Sequence, residues 1–543
     1  RSLEWGSRRS ESGCVCRCKG PFFSVFNYKS MKNYENLARK RNNSSFSIEM
    51  CEKNRIFVRV FMWSVWPHRK RTKFTGEKEI TTHKIYSFNN KSMSEIIKLR
   101  KGLDINLQGK AAESLVEVPM AATYAVSPLD YENVTPKLLV KVGDKVKAGT
   151  PLFFDKNNTR VMYSSPVSGT VSAVNRGEKR KILNVTVEAD KEQVSEEFAV
   201  LDLKKATREE VIETLLKSGL WTMILQRPYG IVANPADQPK AVFVSAFDSA
   251  PLAPCMNFVL QGQKENVQKG MEVLSVLAGG NVHLSVRANA AGEMASLNGV
   301  KLHKFEGKHP VGNVGVQIHH IDPIAKGDIV WTVAIQDVAA IGRLFSTGKV
   351  DLHKVIALAG SEVEKPQYYR IISGAPVASV LDGQIKKQAE GDSVRIISGN
   401  VLTGKKVEAD GYITATASQL TVIPEGDKYE LFGWIAPRTH RFSVSRSYFS
   451  WLCPKKQYKL DTNLNGGVRP FVMAGLFEEY LPMDIYPMYL FKAIMAGDID
   501  KMENLGIYEI LEEDIALCEF VDPSKTEIQQ LVRDGINLMI KEC

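Results

Sequence analysis

The pattern of apolar residues changes in kind three times between residue 93 and the C-terminus, and no single architecture accommodates all of it. Short alternating stretches broken by glycine and proline run to about residue 194. From 195 to 362, apolar runs of strand length alternate with segments of helical spacing. Short strands return over 363–433, and 434–543 read as helical. A chain of 543 residues is too long for one core, so each change of pattern is taken as a domain boundary. The fold class is α/β and α+β multidomain. No apolar run approaches the roughly 18–20 residues that a spanning helix needs. Ile329–Ile335 has strand length only, so any membrane association is expected to go through partners.

Charge sets residues 1–92 apart. They hold 20 Lys+Arg against 7 Asp+Glu, a net of +13, while the remaining residues carry 51 against 54, a net of −3. Four of the eight cysteines (Cys14, Cys16, Cys18, Cys51) lie in this head, which has no sustained period of 2 or 3.6. A basic arm for nucleic acid or lipid, a targeting peptide and a CxCxC metal site are each conceivable. The favoured expectation is a non-native or disordered head, with translation starting at Met93 and no nucleic-acid partner. The other cysteines (Cys255, Cys453, Cys518, Cys543) are scattered, which suits a reducing compartment.

Within 93–194, Lys141–Val174 places short alternating strands between Gly143-Asp144, Gly149-Thr150 and Pro166. This resembles the barrel-sandwich hybrid of biotinyl and lipoyl carrier domains. There the modified lysine stands eight positions before the proline of S-P-x-x-G-T-V. Here that position is Asn158, whose amide cannot be acylated as an amine is, and Lys156 is two residues out of register.

In 195–362, Thr207-x-x-Glu210 is a capping box opening a helix that closes at Ser218-Gly219. Lys240–Ala246, a helix over about Asn266–Leu277 and Val282–Val286 form a βαβ unit in a mostly parallel, Rossmann-like sheet. Ile329–Ala334, a helix near Asp337–Phe345 and Val355–Ala359 read as a second unit. This resembles the flavin domain of RnfC and of the NADH-binding subunit of complex I, in which a glycine-rich loop wraps the FMN phosphate. The corresponding Leu225–Pro235 has one glycine, Gly230, and two prolines that cannot donate, a poor phosphate cradle. His303, His309, His319, His320 and Asp322 could suit a transition metal. On an extended segment, however, His319 and His320 would face opposite sides, so structural roles are favoured.

Tyr369–Ile372, Ser393–Ile397 and Leu420–Ile423, separated by glycine turns, resemble the β-grasp SLBB domain. In the tail, aligning Asp522-Pro523 with the C-P end of a ferredoxin run leaves only Cys518 on a cysteine position. Ile515 and Glu512 occupy the other two. A cubane cluster needs four thiolates, so the domain reads as degenerate and ferredoxin-like.

The order of modules, each with its cofactor position vacated, resembles the NqrA family. Its members belong to bacterial Na⁺-translocating NADH:quinone oxidoreductases and are related to RnfC. His309-Pro-Val-Gly-Asn and Gln336–Phe345 look like that family too. The resemblance implies a peripheral subunit on the cytoplasmic face of the bacterial inner membrane, in a six-subunit complex that oxidises NADH, reduces ubiquinone and moves Na⁺ outward. Flavins and 2Fe-2S are expected in partner subunits, with the membrane-embedded NqrB the foremost partner. This chain is expected to bind no cofactor or metal, to have no catalytic residue of its own, and to contribute to ubiquinone binding and assembly. Arg227 and Tyr229 of the vacated flavin loop are the candidate quinone contacts. The alternative is an RnfC-like electron-transfer subunit.

Overall fold

The structure, a computed structural model, describes residues 96–289, 292–390, 392–426, 441–472 and 475–542. The expectations placed on the basic head lie outside these residues. Residues 90–543 form one compact unit.

The first module is built from two small antiparallel sheets. Thr123–Val126, Ile182–Ala189, Gly169–Arg176 and Lys145–Val146 form one, and Pro136–Leu138, Pro151–Asp155 and Met162–Ser164 form the other. Leu152, Phe153, Tyr163, Val171 and Val185 fill the space between them. The turn after Asp155 carries Asn158, whose amide donates to Asn234 Oδ1 of the next module at 3.2 Å.

That next module is a seven-stranded sheet. Its order is Ile96–Lys98, Lys301–Glu306, Val282–Arg287, Ala241–Ser245, Val330–Val333, Ile224–Arg227, Ile231–Val232. The first five strands are parallel and the last two form an antiparallel hairpin at the edge. Helix α1 (Arg208–Ser218) starts as the sequence predicts. Thr207 caps Glu210 N, the Glu210 carboxylate reaches back to Thr207 N, and Gly219 ends the helix in the left-handed region. Helices α2 (Lys264–Leu277) and α3 (Val314–Ile321) follow, then α4 (Ile335–Thr347). The βαβ unit of Ala241–Ser245, α2 and Val282–Arg287 forms as predicted, with the two strands parallel.

Two expectations for this module need correction. The second βαβ unit is not one. After α4 the chain leaves the sheet, because Val330–Val333 already has a neighbour on both sides. His353–Ala359 instead enters a second, six-stranded sheet ordered Lys405–Val407, Val394–Ser398, Gln419–Pro424, His353–Ala359, Gln367–Ile372, Ala112–Glu117. His319 and His320 are not on an extended segment but in the last turn of α3.

The tail is helical from Phe477 on, with α5 (Pro487–Ala496), α6 (Glu512–Val521) and α7 (Ile528–Glu542), whereas residues 441–472, also expected to be helical, hold no more than a 3₁₀ turn. Leu490, Phe491, Ile515, Cys518, Val532 and Ile536 share one core with Phe243, Val316 and Val330 of the α/β module, so the helices are packed onto it. The stitching also runs the other way. The segment before the sandwich lends Ile96–Lys98 to the α/β sheet and Ala112–Glu117 to the second sheet.

Candidate functional site

The modules converge on a cavity of about 490 Å³. The sandwich contributes Tyr131, Tyr163 and Ser164. The α/β module contributes Met223, Leu225, Phe247, Asp248 and His309, together with Gln336 and Asp337 from the first turn of α4. The second sheet supplies Lys354 and the loop 414–418, and the tail supplies Glu513. The volume is that of a small-molecule site, and one side is aromatic and apolar while the other is charged.

On the charged side, Lys354 Nζ donates to the carbonyls of Ala415 (2.6 Å), Ala417 (2.8 Å) and Thr414 (3.3 Å). Asp130 Oδ2 accepts from Ala415 N at 2.7 Å, tying the sandwich to the same loop. Burial pushes the Lys354 ammonium down to about 8, opposed by the carboxylates of Asp337 and Asp130. Burial also pushes Asp337 up to about 6, against Lys354 and Arg343. His309 is driven down to about 4 by burial, its Nδ1 lying 3.0 Å from Ser249 Oγ, so it is neutral at neutral pH.

The raised Asp337 pKa fixes the sign of a pH effect. Between the ordinary carboxylate value and about 6 the folded chain holds a proton that the unfolded chain has released. Stability therefore falls as pH rises through that window. Asp337→Asn is expected to stabilise the chain by about 1–2 kcal/mol at pH 7.5 and to flatten its stability between pH 4 and 6. Melting temperatures across pH 4–8 check this, and an Asn variant with the native profile would refute it.

On the aromatic side, the rings of Tyr131 and Tyr163 meet edge to face with centroids 5.0 Å apart. Tyr163 Oη and Ser164 Oγ are buried without a hydrogen-bond partner. A buried hydroxyl without a partner forfeits its hydration with no bond in return.

Arg227 and Tyr229, singled out by sequence, sit on the edge hairpin and do not line this cavity. Arg227 Nη1 donates to Asp514 Oδ2 at 2.8 Å and Nη2 to Glu513 Oε1 at 2.6 Å. The Tyr229 carbonyl accepts from Arg533 Nη1 at 2.9 Å. Arg227 reaches the site only through Glu513. Sequence reasoning missed Tyr131, Tyr163, Asp337 and Lys354. None stands in a local motif.

The hairpin does not fit a flavin phosphate. Its N–H groups are spent internally, Gly230 on Gln226 O, Ala233 on Ile224 O and Asn234 on Gln226 Oε1. Cys518 does not fit a cluster ligand either. Its thiol is buried in the helical core and burial pushes it up, against the thiolate that iron binding requires. Among the described residues no group of three or more His, Cys, Asp or Glu is placed to hold a metal. His283 Nδ1 faces His303 Nε2 at 3.0 Å, His319 Nδ1 faces Glu509 Oε2 at 2.6 Å and His320 bonds the Pro482 carbonyl, so the histidines tie separate parts of the fold together.

Fold and cavity together define a class: a barrel-sandwich hybrid, an α/β domain and an SLBB-like domain in series, with helices packed on the α/β core. Family models match in that order: the NqrA N-terminal barrel-sandwich hybrid domain over residues 97–190, the NqrA second alpha/beta domain over 206–350 and the NQRA C-terminal domain over 355–409. The NqrA protein of the Na(+)-translocating NADH-quinone reductase of Hahella chejuensis is 36% identical over 450 residues, 82% of this chain and 100% of that protein. Its namesakes in Neisseria meningitidis serogroup A and Alcanivorax borkumensis are each 38% identical over the same shares. The chain belongs to the NqrA family. Among solved structures, an NAD+-reducing [NiFe]-hydrogenase in the air-oxidized state aligns at 13% identity over 62% of this chain and 61% of that one. Its TM-score of 0.31 is too low to bear on architecture or function.

Proposed function

We propose that this chain serves as the NqrA component of a Na⁺-translocating NADH-quinone reductase, a component without redox centres that receives the ubiquinone headgroup in the interdomain cavity and helps assemble the complex. In this reading the α/β module is a Rossmann-like flavin domain that has lost its phosphate loop, and the tail is a ferredoxin-like domain that has lost its clusters. NADH oxidation, flavins, iron–sulfur and Na⁺ movement then belong to partner subunits, with the membrane-embedded NqrB the principal contact. The chain stands at the cytoplasmic face of the membrane; no described helix is long and apolar enough to cross it.

The observation that carries the quinone reading is the aromatic side of the cavity, where the rings of Tyr131 and Tyr163 meet edge to face; the Tyr163 hydroxyl, buried without a partner, donates to a bound carbonyl once its ring turns toward the cavity. A quinone ring is flat and apolar with two carbonyl acceptors, so it needs a hydrophobic slot and one or two donors. Lys354 is not the donor, since its ammonium is spent on three carbonyls. Arg227 acts as a positioning residue that holds Glu513 at the rim, and Tyr229 lies on the hairpin behind it.

Titration of the full chain with ubiquinone-1 tests this. Tyr163→Phe is expected to weaken binding by about 2–10-fold, the worth of one hydrogen bond, with a melting temperature unchanged or slightly raised by loss of an unpartnered buried hydroxyl. Absence of saturable binding, or equal affinity in the Phe variant, rejects the reading. The RnfC-like alternative is not favoured by the relatives, which carry the name of the Na(+)-translocating enzyme. A flavin or iron–sulfur absorbance band in the purified chain would revive it.

A further inference from the structure

Away from the cavity, a surface protrusion over residues 441–458 is built around exposed apolar side chains. Its base is anchored. Phe442 packs against Tyr458 and Phe520, with ring centroids 5.6 and 6.2 Å apart. Tyr458 N donates to Asn106 O at 2.8 Å. The loop is then closed on itself: Ser443 N donates to Ser450 Oγ at 3.1 Å, Tyr448 N to Ser443 Oγ at 2.9 Å and Ser450 Oγ to Ser443 O at 3.1 Å. These bonds present a 3₁₀ turn, Phe449–Leu452, at the tip. Phe449, Trp451 and Leu452 there are 45%, 53% and 59% exposed.

A hydrogen-bonded loop that holds three large apolar side chains in water is unfavourable unless something covers them. The charge around it says what. Residues 441–460 contain five Lys+Arg and no Asp or Glu, and of the five Lys459 is taken up by Glu362 at 2.8 Å. The Arg446 guanidinium lies 5.9 Å from the Trp451 ring, an arrangement that keeps the cation at the level of the indole. Tryptophan prefers the headgroup boundary of a bilayer, phenylalanine and leucine the acyl region just beneath, and basic side chains the phosphates above.

We propose that this protrusion docks directly on an anionic phospholipid surface, with Trp451 and Leu452 entering the interface and Arg446 and Lys455 facing the lipid phosphates. This gives the chain a lipid contact of its own besides any through partner subunits, and it does not depend on the quinone reading. A protein partner would more naturally set acidic groups among the basic ones to fix orientation; beside the turn itself the charges are Arg446 and Lys455, attraction of one sign, which is the footprint of a charged surface.

The test is co-sedimentation of the full chain with vesicles of phosphatidylethanolamine and phosphatidylglycerol, and separately with phosphatidylcholine alone. Binding is expected to the first, weakening several-fold as salt rises from 0.1 to 0.5 M, and to be at least tenfold weaker to the second. The Trp451→Ala, Leu452→Ser double variant should lose at least tenfold in partition with an unchanged melting temperature. Lys455→Glu should lose severalfold by charge alone. The conservative Trp451→Phe should keep binding while removing fluorescence quenching by brominated lipid. Wild-type chain that ignores anionic vesicles, or a double variant that binds as well as wild type, overturns the proposal. If wild type ignores vesicles but the double variant drops out of the assembled complex, the turn is a protein interface and the lipid assignment is equally overturned.

Discussion

Replacing Arg227 by alanine is expected to destabilise the chain by about 3–5 kcal/mol, and to do so by loosening the helical tail from the α/β module. The Arg227 side chain is 2% exposed and its partner Asp514 is not exposed at all. The two are 287 residues apart in sequence, so the pair is a tertiary clamp between modules. The backbone of α3 closes over it: a Cβ on Gly315 would lie 2.1 Å from Asp514 Oδ2 and 2.3 Å from Arg227 Nη1. Truncation therefore strands a carboxylate that already has one oxygen without a partner. Glu513 matters less, since its side chain is 44% exposed and can turn to solvent.

A buried charge pair also behaves asymmetrically in a way that a generic packing loss does not. Arg227→Met combined with Asp514→Leu removes both charges and fills the space with apolar atoms, and it should recover most of the stability lost by Arg227→Ala. Urea denaturation of the two variants decides it. Equal damage in both would mean that the charge pair is incidental and that side-chain volume alone matters.

Local features of this fold were legible in sequence because they depend on neighbours. The capping box at Thr207 and Glu210, the strand through Val242–Val244 and the helix stop at Ser218-Gly219 each follow from spacing within one turn or one strand. The place of Asn158 and of the proline-rich hairpin was legible for the same reason, since both stand at fixed offsets from a motif. The cavity was not legible. Tyr131, Tyr163, Asp337 and Lys354 come from segments that sequence assigns to different domains, and only the closing of those domains gives them a common surface. Arg227 shows the limit most clearly. Its position next to a degenerate flavin loop suggested a ligand contact, but the partner that takes its charge lies in the tail. The α3 histidines failed for a different reason: Asn313 makes no side-chain cap, and a helix flanked by Gly312 and Pro323 offers little local signal of its start.

Gly342→Ala should also be strongly destabilising, by about 2–3 kcal/mol, although alanine is intrinsically the better helix former by about 1 kcal/mol. The sign reverses because α2 and α4 touch backbone to backbone. A Cβ at Gly342 would lie 1.8 Å from the Asn266 carbonyl oxygen and 2.9 Å from Gly270 N, while one at Gly270 would lie 2.1 Å from Val338 O. None of these is the end of a flexible side chain, so the helices must separate. Both are packed on the sheet through Val267, Met271, Val338 and Ile341, and cannot move apart without opening that core. Gly535 in α7 supplies the control. Its added Cβ would meet only the Ile494 side chain, at 3.0 Å or more, and Gly535→Ala should fall within about 1 kcal/mol of wild type. The damage at Gly342 should also reach the cavity, because α4 carries Gln336 and Asp337 on its first turn. Gln336 fixes that turn by bonding both the N–H and the carbonyl of Val355, beside Lys354. A shifted α4 thus pulls on both the Asp337 and Lys354 sides of the site. Ubiquinone-1 affinity in the Gly342→Ala variant should fall along with its denaturation midpoint, whereas Gly535→Ala should leave both nearly unchanged. A Gly342→Ala chain as stable as wild type would mean that the two helices are not held at backbone contact.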